Sequence, residues 1–182
     1  MGSNLGDRRA ALQAAVDALG ASVVVRASSS VYETDPVGEI LDQPPFYNAC
    51  LQIQTGLEPL ELLRRAKAVE RALGRDSTGP RHGPRPIDVD LLMLGALVQV
   101  DGPLELPHPA LTQRRFVLIG LLELEPSLRL PSGRSVAEAL LSLPVDGGVR
   151  HAGAPLRVGQ AGAGTQAPGS TPLGVLPASG GK

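Results

Sequence analysis

Residues 87–94 read Ile87-Asp88-Val89-Asp90-Leu91-Leu92-Met93-Leu94, and the conformation of this stretch decides the fold. It is apolar except for two acids and follows a Gly/Pro-rich run, so it predicts a buried strand. On a strand, residues two apart share a face, with Cα atoms about 6–7 Å from one another. Ile87, Val89, Leu91 and Met93 then face the core. Asp88 and Asp90 point the other way, side by side, with Leu92 and Leu94 as apolar neighbours. Two ionised carboxylates so placed repel each other unless something cationic lies between them. Either arginines pair with them or the strand face is wetted, or they hold a divalent cation. Magnesium typically takes one or two carboxylates plus substrate phosphates.

The segment just upstream, Arg75-Asp76-Ser77-Thr78-Gly79-Pro80-Arg81-His82-Gly83-Pro84-Arg85-Pro86, is a loop by its Gly and Pro content. Its three arginines can form a salt-bridge cluster with the acids, or grip a phosphate through bidentate guanidinium contacts. No GxxxxGK[ST] phosphate loop occurs, so a nucleotide site here is not of that kind. Downstream, Pro107 and Pro109 hold His108 in a turn, and Arg114-Arg115-Phe116 opens a helical run. Phe46-Tyr47-Asn48 places an aromatic ring beside an amide at a loop–strand junction. That pair suits a flat heterocycle, although a phenylalanine is more often core.

Farther out, the chain reads as mixed α/β. Asp7 caps a helix with Ala11, Leu12, Ala15, Val16 and Leu19 on its apolar face and Gly20 as its stop. Val23–Val25 and Ser30–Thr34 read as extended, and Asn48–Gln54 alternates with Ala49, Leu51 and Ile53 on one face. A second helix starts at Pro59, carries Leu62, Leu63, Ala66, Val69 and Leu73, and ends at Gly74. Phe116–Leu124 reads as helix, and Ser135-Val136-Ala137-Glu138 is a capping box. After Asp146 there is no acid, and ten of the 22 glycines lie there. Residues 147–182 are accordingly expected to be a disordered tail behind a folded domain of residues 1–146.

Composition narrows the function classes. A net charge of −1 gives no general field toward nucleic acid or anionic membranes. One cysteine, Cys50, excludes an intrachain disulfide and a cysteine-cluster metal site. No apolar run approaches the roughly 20 residues of a membrane span, and no signal peptide is evident. A cytoplasmic, monomeric protein is expected, with no nucleic-acid or membrane partner.

Taken in order, several blocks resemble the 6-hydroxymethyl-7,8-dihydropterin pyrophosphokinase family. They are Gly2-Ser3-Asn4-Leu5-Gly6, Val31-Tyr32-Glu33-Thr34 with Pro36 and Gly38, Gln43, Phe46-Tyr47-Asn48-Ala49, Glu70, and Gly74-Arg75. Then come Arg81, Gly83-Pro84-Arg85-Pro86-Ile87-Asp88-Val89-Asp90, Pro107-His108-Pro109, and Arg114 with Phe116-Val117-Leu118. The resemblance covers about residues 2–143. It implies an α/β (α+β), ferredoxin-like fold with an antiparallel sheet, and pyrophosphate transfer from ATP to a pterin hydroxymethyl group with release of AMP. It implies two Mg2+ ions held by Asp88 and Asp90. Arg75, Arg85, Asp88 and Asp90 would be catalytic. ATP would meet Lys67, Glu70, Arg81, Arg85, Ile87, His108 and Arg114. The pterin would lie between Phe46 and Phe116, against Thr34, Pro36, Val37 and Asn48. Loops around Gly38–Gln43 and Arg75–Pro84 would close over the site. The family has an apolar strand before its Gly-Ser-Asn turn. Only Met1 precedes Gly2 here, so a missing first strand is expected.

Overall fold

A computed structural model describes residues 1–37, 40–76, 83–100, 102–145 and 148–159. The sheet is built around one long antiparallel ribbon. β2 (Val24–Ser28) pairs with β5 (Leu51–Gln54), and β3 (Val31–Thr34) pairs with β4 (Phe46–Asn48). The ribbon kinks where the two pairs meet. There Ser29 donates its backbone N–H to the Cys50 carbonyl (2.9 Å), and Cys50 returns its own N–H to Ser29 Oγ (2.9 Å). The buried Ser29 hydroxyl thus replaces a ladder partner.

α1 (Arg8–Leu19) begins as the sequence predicts, with Asp7 Oδ1 accepting from the Ala10 N–H (3.0 Å). α2 (Pro59–Ala72) has Pro59 in its first turn, and Gly74 follows its end at φ 87°, a conformation that favours glycine. α3 (Arg115–Leu124) follows a short 3₁₀ turn, Leu111–Gln113. α4 (Val136–Leu141) carries both arms of the predicted capping box between Ser135 and Glu138. None of the helices among the described residues is long and apolar enough to cross a membrane.

Two cores lie on opposite sides of the strands. Ala49 packs with Leu12, Val16, Val31, Leu62, Ala66 and Ile87 beneath α1 and α2. Its neighbour Cys50 packs with Leu111, Leu118, Leu121 and Val136 beneath α3 and α4. Adjacent residues of an extended chain point to opposite faces, and these two separate the layers.

Three expectations need correction. Residues 87–94 are not a ladder-forming strand. Ile87 (0% exposed) and Val89 (6%) do enter the core, but among the described residues the backbone forms a single bridge, to Gly2 through Asp88, and continues into no ladder. The cause lies in α2: the Val89 N–H goes to the Glu70 carboxylate (2.7 Å), and the Val89 carbonyl receives Lys67 Nζ (3.3 Å), so side chains take the groups a strand partner would use. Met93 packs with the second core rather than the first. Where no first strand was expected, Gly2–Ser3 forms a short one, β1, between Asp88 and β4, with Met1 and Ala49 exchanging backbone hydrogen bonds beside it.

The tail also departs from expectation. Val149–Gly153 forms β6, antiparallel to β3, giving the sheet order β1-β4-β3-β6. Leu156 is 4% exposed in the first core, and Gln13 exchanges hydrogen bonds with the Arg157 backbone (2.8 and 2.9 Å). An unpaired β3 edge needs a partner, and a Gly/Ala-rich segment can supply backbone groups whatever its composition. The boundary at 147 therefore separates β6 from the body it belongs to, and residues 160–182 lie outside the described residues.

Gly120 of α3 sits over the ribbon's kink. A Cβ there would lie 2.8 Å from Cys50 Sγ and 3.2 Å from Ser29 Oγ. Gly120→Ala is expected to destabilise by about 1–3 kcal/mol through overpacking. Denaturant unfolding checks this, and an unchanged midpoint would show that the helix can shift at no cost.

Candidate active site

The site is assembled from the end of α2 outward. Glu70 is 2% exposed, a costly position for a carboxylate without partners. Its Oε1 accepts from the Val89 N–H and meets Lys67 Nζ and Arg75 Nη1, both at 2.8 Å. Lys67 reaches it from one helical turn away. Arg75 reaches it because the chain reverses at Gly74 and its own N–H returns to the Glu70 carbonyl (2.9 Å).

Arg75 also bonds Asp88 Oδ1. Arg85 Nε stands 3.2 Å from Asp88 Oδ2, too poorly aligned for a hydrogen bond, and Lys67 Nζ is 4.0 Å from Oδ1. Burial pushes the Asp88 carboxyl toward protonation, but Arg85, Arg75 and Lys67 together outweigh it and hold it below the usual carboxylate range. Burial likewise works against the Arg75 charge, and Asp88, Glu70 and Asp90 more than restore it. Asp90 is more open, with Oδ2 3.7 Å from Arg114 Nη1. Asp88 and Asp90 both face the same cleft.

Asn4 fastens the neighbouring segments. Its Oδ1 accepts from the Arg85 N–H (2.8 Å), and its Nδ2 donates to Gln43 Oε1 (2.9 Å) and the Pro44 carbonyl (3.1 Å). The Arg85 guanidinium lies over the Phe46 ring, 5.3 Å from its centroid. On β4, Asn48 Nδ2 donates to Thr34 Oγ1 (2.9 Å). A Cβ on Gly2 would lie 2.6 Å from Asn48 Oδ1, so a side chain there would push the Asn48 amide from its place.

Asp88, Asp90, Arg85, Phe46, Asn48 and Thr34 border a cleft of about 680 Å³. Of the residues singled out in the sequence, Thr34, Val37, Phe46, Asn48, Arg85, Asp88, Asp90, Arg114 and Phe116 line it. Pro36 does not, although Asp35 and Val37 beside it do. Lys67, Glu70 and Arg75 stand behind Asp88 rather than on the wall. The Ile87 side chain is wholly buried in the core. His108 lies off the wall in its turn, with Nδ1 accepting from the Ala110 N–H (3.0 Å) and its backbone N–H donating to the Leu92 carbonyl (2.8 Å). Arg81 and His82 lie outside the described residues. Sequence reasoning missed Gln113, Cys50, Leu92, Gly148 and Val149 on the wall. Of these only Leu92 carried a signal, since it shares the acids' side of residues 87–94.

No group of three or more His, Cys, Asp or Glu side chains is placed to hold a metal among the described residues. Two carboxylates are nonetheless a sufficient protein donor set for magnesium when a substrate supplies phosphate oxygens. Asp88 and Asp90 fit that role.

An acid pair met by arginines beside two aromatic rings can offer a transferring phosphoryl group charge neutralisation next to a surface for a flat ring. Residues 1–126 match the profile described as 7,8-dihydro-6-hydroxymethylpterin-pyrophosphokinase. The chain is 40% identical over 156 residues to a 2-amino-4-hydroxy-6-hydroxymethyldihydropteridine pyrophosphokinase of Pseudomonas aeruginosa, covering 85% of this chain and 95% of that one. Proteins of the same name from Methylorubrum extorquens and Bacillus subtilis are 42% and 43% identical. These alignments cover 81% and 68% of this chain, and 92% and 74% of theirs. The chain therefore belongs to the 7,8-dihydro-6-hydroxymethylpterin-pyrophosphokinase family, and it is a transferase.

Removing the Glu70 carboxylate leaves Lys67, Arg75 and the Val89 N–H without their shared partner. Glu70→Ala is expected to destabilise by about 3 kcal/mol. Glu70→Gln keeps an acceptor for Val89 and should cost clearly less. Urea unfolding of both variants checks this, and equal losses would contradict it.

Proposed function

We infer that this chain transfers pyrophosphate from ATP to the hydroxymethyl group of 6-hydroxymethyl-7,8-dihydropterin, yielding AMP and the pterin diphosphate in folate biosynthesis. Family membership supports the reaction. The observation that carries the assignment of residues is the convergence of Asp88, Asp90, Arg85 and Arg114 on one cleft that also holds Phe46 and Phe116.

In this proposal Phe46 and Phe116 flank the pterin, with the Asn48 amide and the Thr34–Val37 segment on its polar edge. Arg75, Arg85 and Arg114 bind phosphate oxygens, and Lys67 supports them from behind. Glu70 acts as a positioning residue, since its buried oxygen is shared among Val89, Lys67 and Arg75. Asp88 and Asp90 would hold Mg2+, two ions by family resemblance. The metal's contribution when bound is to neutralise phosphate charge and orient the transferring group. Arg75 and Arg85 then turn from Asp88 to the phosphates, so one set of guanidiniums serves the empty and the loaded site. The pterin hydroxyl oxygen forms a bond to the β-phosphorus of ATP and gives up its proton to solvent as the bond to the α,β-bridging oxygen breaks. AMP leaves with that electron pair.

Such chemistry relies on positioning and charge neutralisation, with no covalent nucleophile. Cys50, on the cleft wall, fits this view: burial pushes its thiol up to about 11, so it stays protonated at neutral pH. A ferredoxin-like arrangement, a monomeric state and a cytoplasmic location belong to the same proposal. The ferredoxin-like arrangement accords with antiparallel strands carrying α1 and α2 on one face.

The test is AMP release with ATP, Mg2+ and the pterin. Release is expected only when all three are present. Asp90→Ala should lower turnover by at least about 10³-fold, the scale on which lost charge stabilisation acts. Its unfolding midpoint should stay near that of the wild type. Near-normal turnover in Asp90→Ala would sink the metal assignment.

A further inference from the structure

The family profile ends at residue 126, yet the cleft wall continues past it. Gly148 and Val149, where β6 begins, line the cleft beside Thr34, Asp35 and Val37. β6 is held on β3 through the register Thr34↔Val149 and Glu33↔Arg150. Arg150 then reaches beyond its register partner. Its Nη2 donates to Asp35 Oδ1 (2.7 Å) and its Nη1 to Asp35 Oδ2 (3.3 Å), a two-point grip on the first residue after β3. Its Nη2 and Nε also donate to Glu33 Oε1, both at 3.3 Å.

Glu33 continues the chain of charges. Its Oε2 accepts from Arg8 Nη1 (3.0 Å), and the same Arg8 atom donates to the Pro45 carbonyl (2.8 Å). The Arg8 guanidinium also lies over the Tyr47 ring, 3.7 Å from its centroid. The order across the sheet is therefore Asp35, Arg150, Glu33, Arg8 and Pro45. It joins the two segments that bring Thr34 and Phe46 to the cleft.

We propose that Arg150 is a positioning residue for the pterin side of the cleft: by clamping Asp35 from β6 it fixes the Thr34–Val37 wall, so the C-terminal strand sets affinity for the ring substrate. Exposure decides where its effect is felt. Arg150 and Asp35 keep 45% and 59% of their side-chain surface in solvent, and exposed ion pairs add little to global stability. A two-point clamp can still choose among positions of a short segment, because those positions differ little in free energy. The hydrogen bonds from Arg150 also keep Asp35 ionised, below the usual carboxylate range, so the clamp persists throughout neutral pH.

This proposal rests on the pterin assignment of the cleft, and direct binding separates the two. The experiment titrates 6-hydroxymethyl-7,8-dihydropterin, followed by its fluorescence, into the full chain saturated with Mg2+ and a non-hydrolysable ATP analogue. Wild type, Arg150→Ala, Arg150→Lys, Asp35→Asn and the double variant Arg150→Ala/Asp35→Asn are compared. Affinity for the analogue and the unfolding midpoint are measured on each. Arg150→Ala should weaken pterin binding about threefold to fivefold, in the range of an exposed networked pair. Arg150→Lys should fall between it and wild type, and the double variant should be no weaker than Arg150→Ala. Analogue affinity and the midpoint should hold. Unchanged pterin affinity in Arg150→Ala would overturn the proposal alone. A parallel loss of pterin affinity, analogue affinity and midpoint would reduce β6 to structural support and overturn it too. A wild-type chain that binds no pterin would overturn the cleft assignment and the proposal together.

Discussion

Glu70 Oε1 is buried beneath α2, where it meets the Val89 N–H, the Lys67 ammonium and the Arg75 guanidinium. Much of the site follows from this one atom. By taking the Val89 N–H it ends strand pairing one residue after the bridge at Asp88. The chain beyond is free of a ladder and can carry Asp90 toward Arg114. By gathering Lys67 and Arg75 it puts two cations behind Asp88, where Arg85 adds a third. An unpaired buried carboxylate would be intolerable, and so would three cations without acids. Each set makes the other possible, and Asp88 is held charged at a partly buried position as a result.

The second constraint is the kinked ribbon. Strands β2–β5 and β3–β4 form one antiparallel pair bent at Ser29 and Cys50. The bend lets Gly120 bring α3 against the sheet, and the start of α3 carries Phe116 to the cleft. On the opposite rim, Asn48 is fixed by Thr34 and Arg85 by Asn4. Rigid elements thus hold the aromatic rings, while the acids rest on the cation cluster. Such division suits a reaction that demands position more than covalent chemistry.

The features legible in the sequence were those with local causes. Asp7, Pro59, Gly74 and the Ser135–Glu138 box act within one turn of chain, and the helices begin or end there. The Asp88/Asp90 pair and the sidedness of Ile87 and Val89 follow from alternation alone. Periodicity reports which side chains are buried, and says nothing of what the backbone bonds to. That is why residues 87–94 look like a strand: the competitor for Val89 is a side chain 19 residues upstream. β6 was hidden for the same reason, because backbone pairing needs no particular composition. Glu70 was legible as important, but as a nucleotide contact. Tertiary packing adds that its Oε1 is shared by Val89, Lys67 and Arg75. Asn4 carried a motif without a role until Arg85, Gln43 and Pro44 were brought to it.

On the proposed reading, arginines neutralise Asp88 in the free chain and exchange it for phosphate and metal on loading. Calorimetric titration of Mg2+ into the chain, with and without a non-hydrolysable ATP analogue, tests it most directly. With the arginines on Asp88, Mg2+ alone should bind weakly or not at all, and should bind well once the analogue draws Arg75 and Arg85 to its phosphates. Equal and tight Mg2+ binding in the absence of the nucleotide would contradict the account.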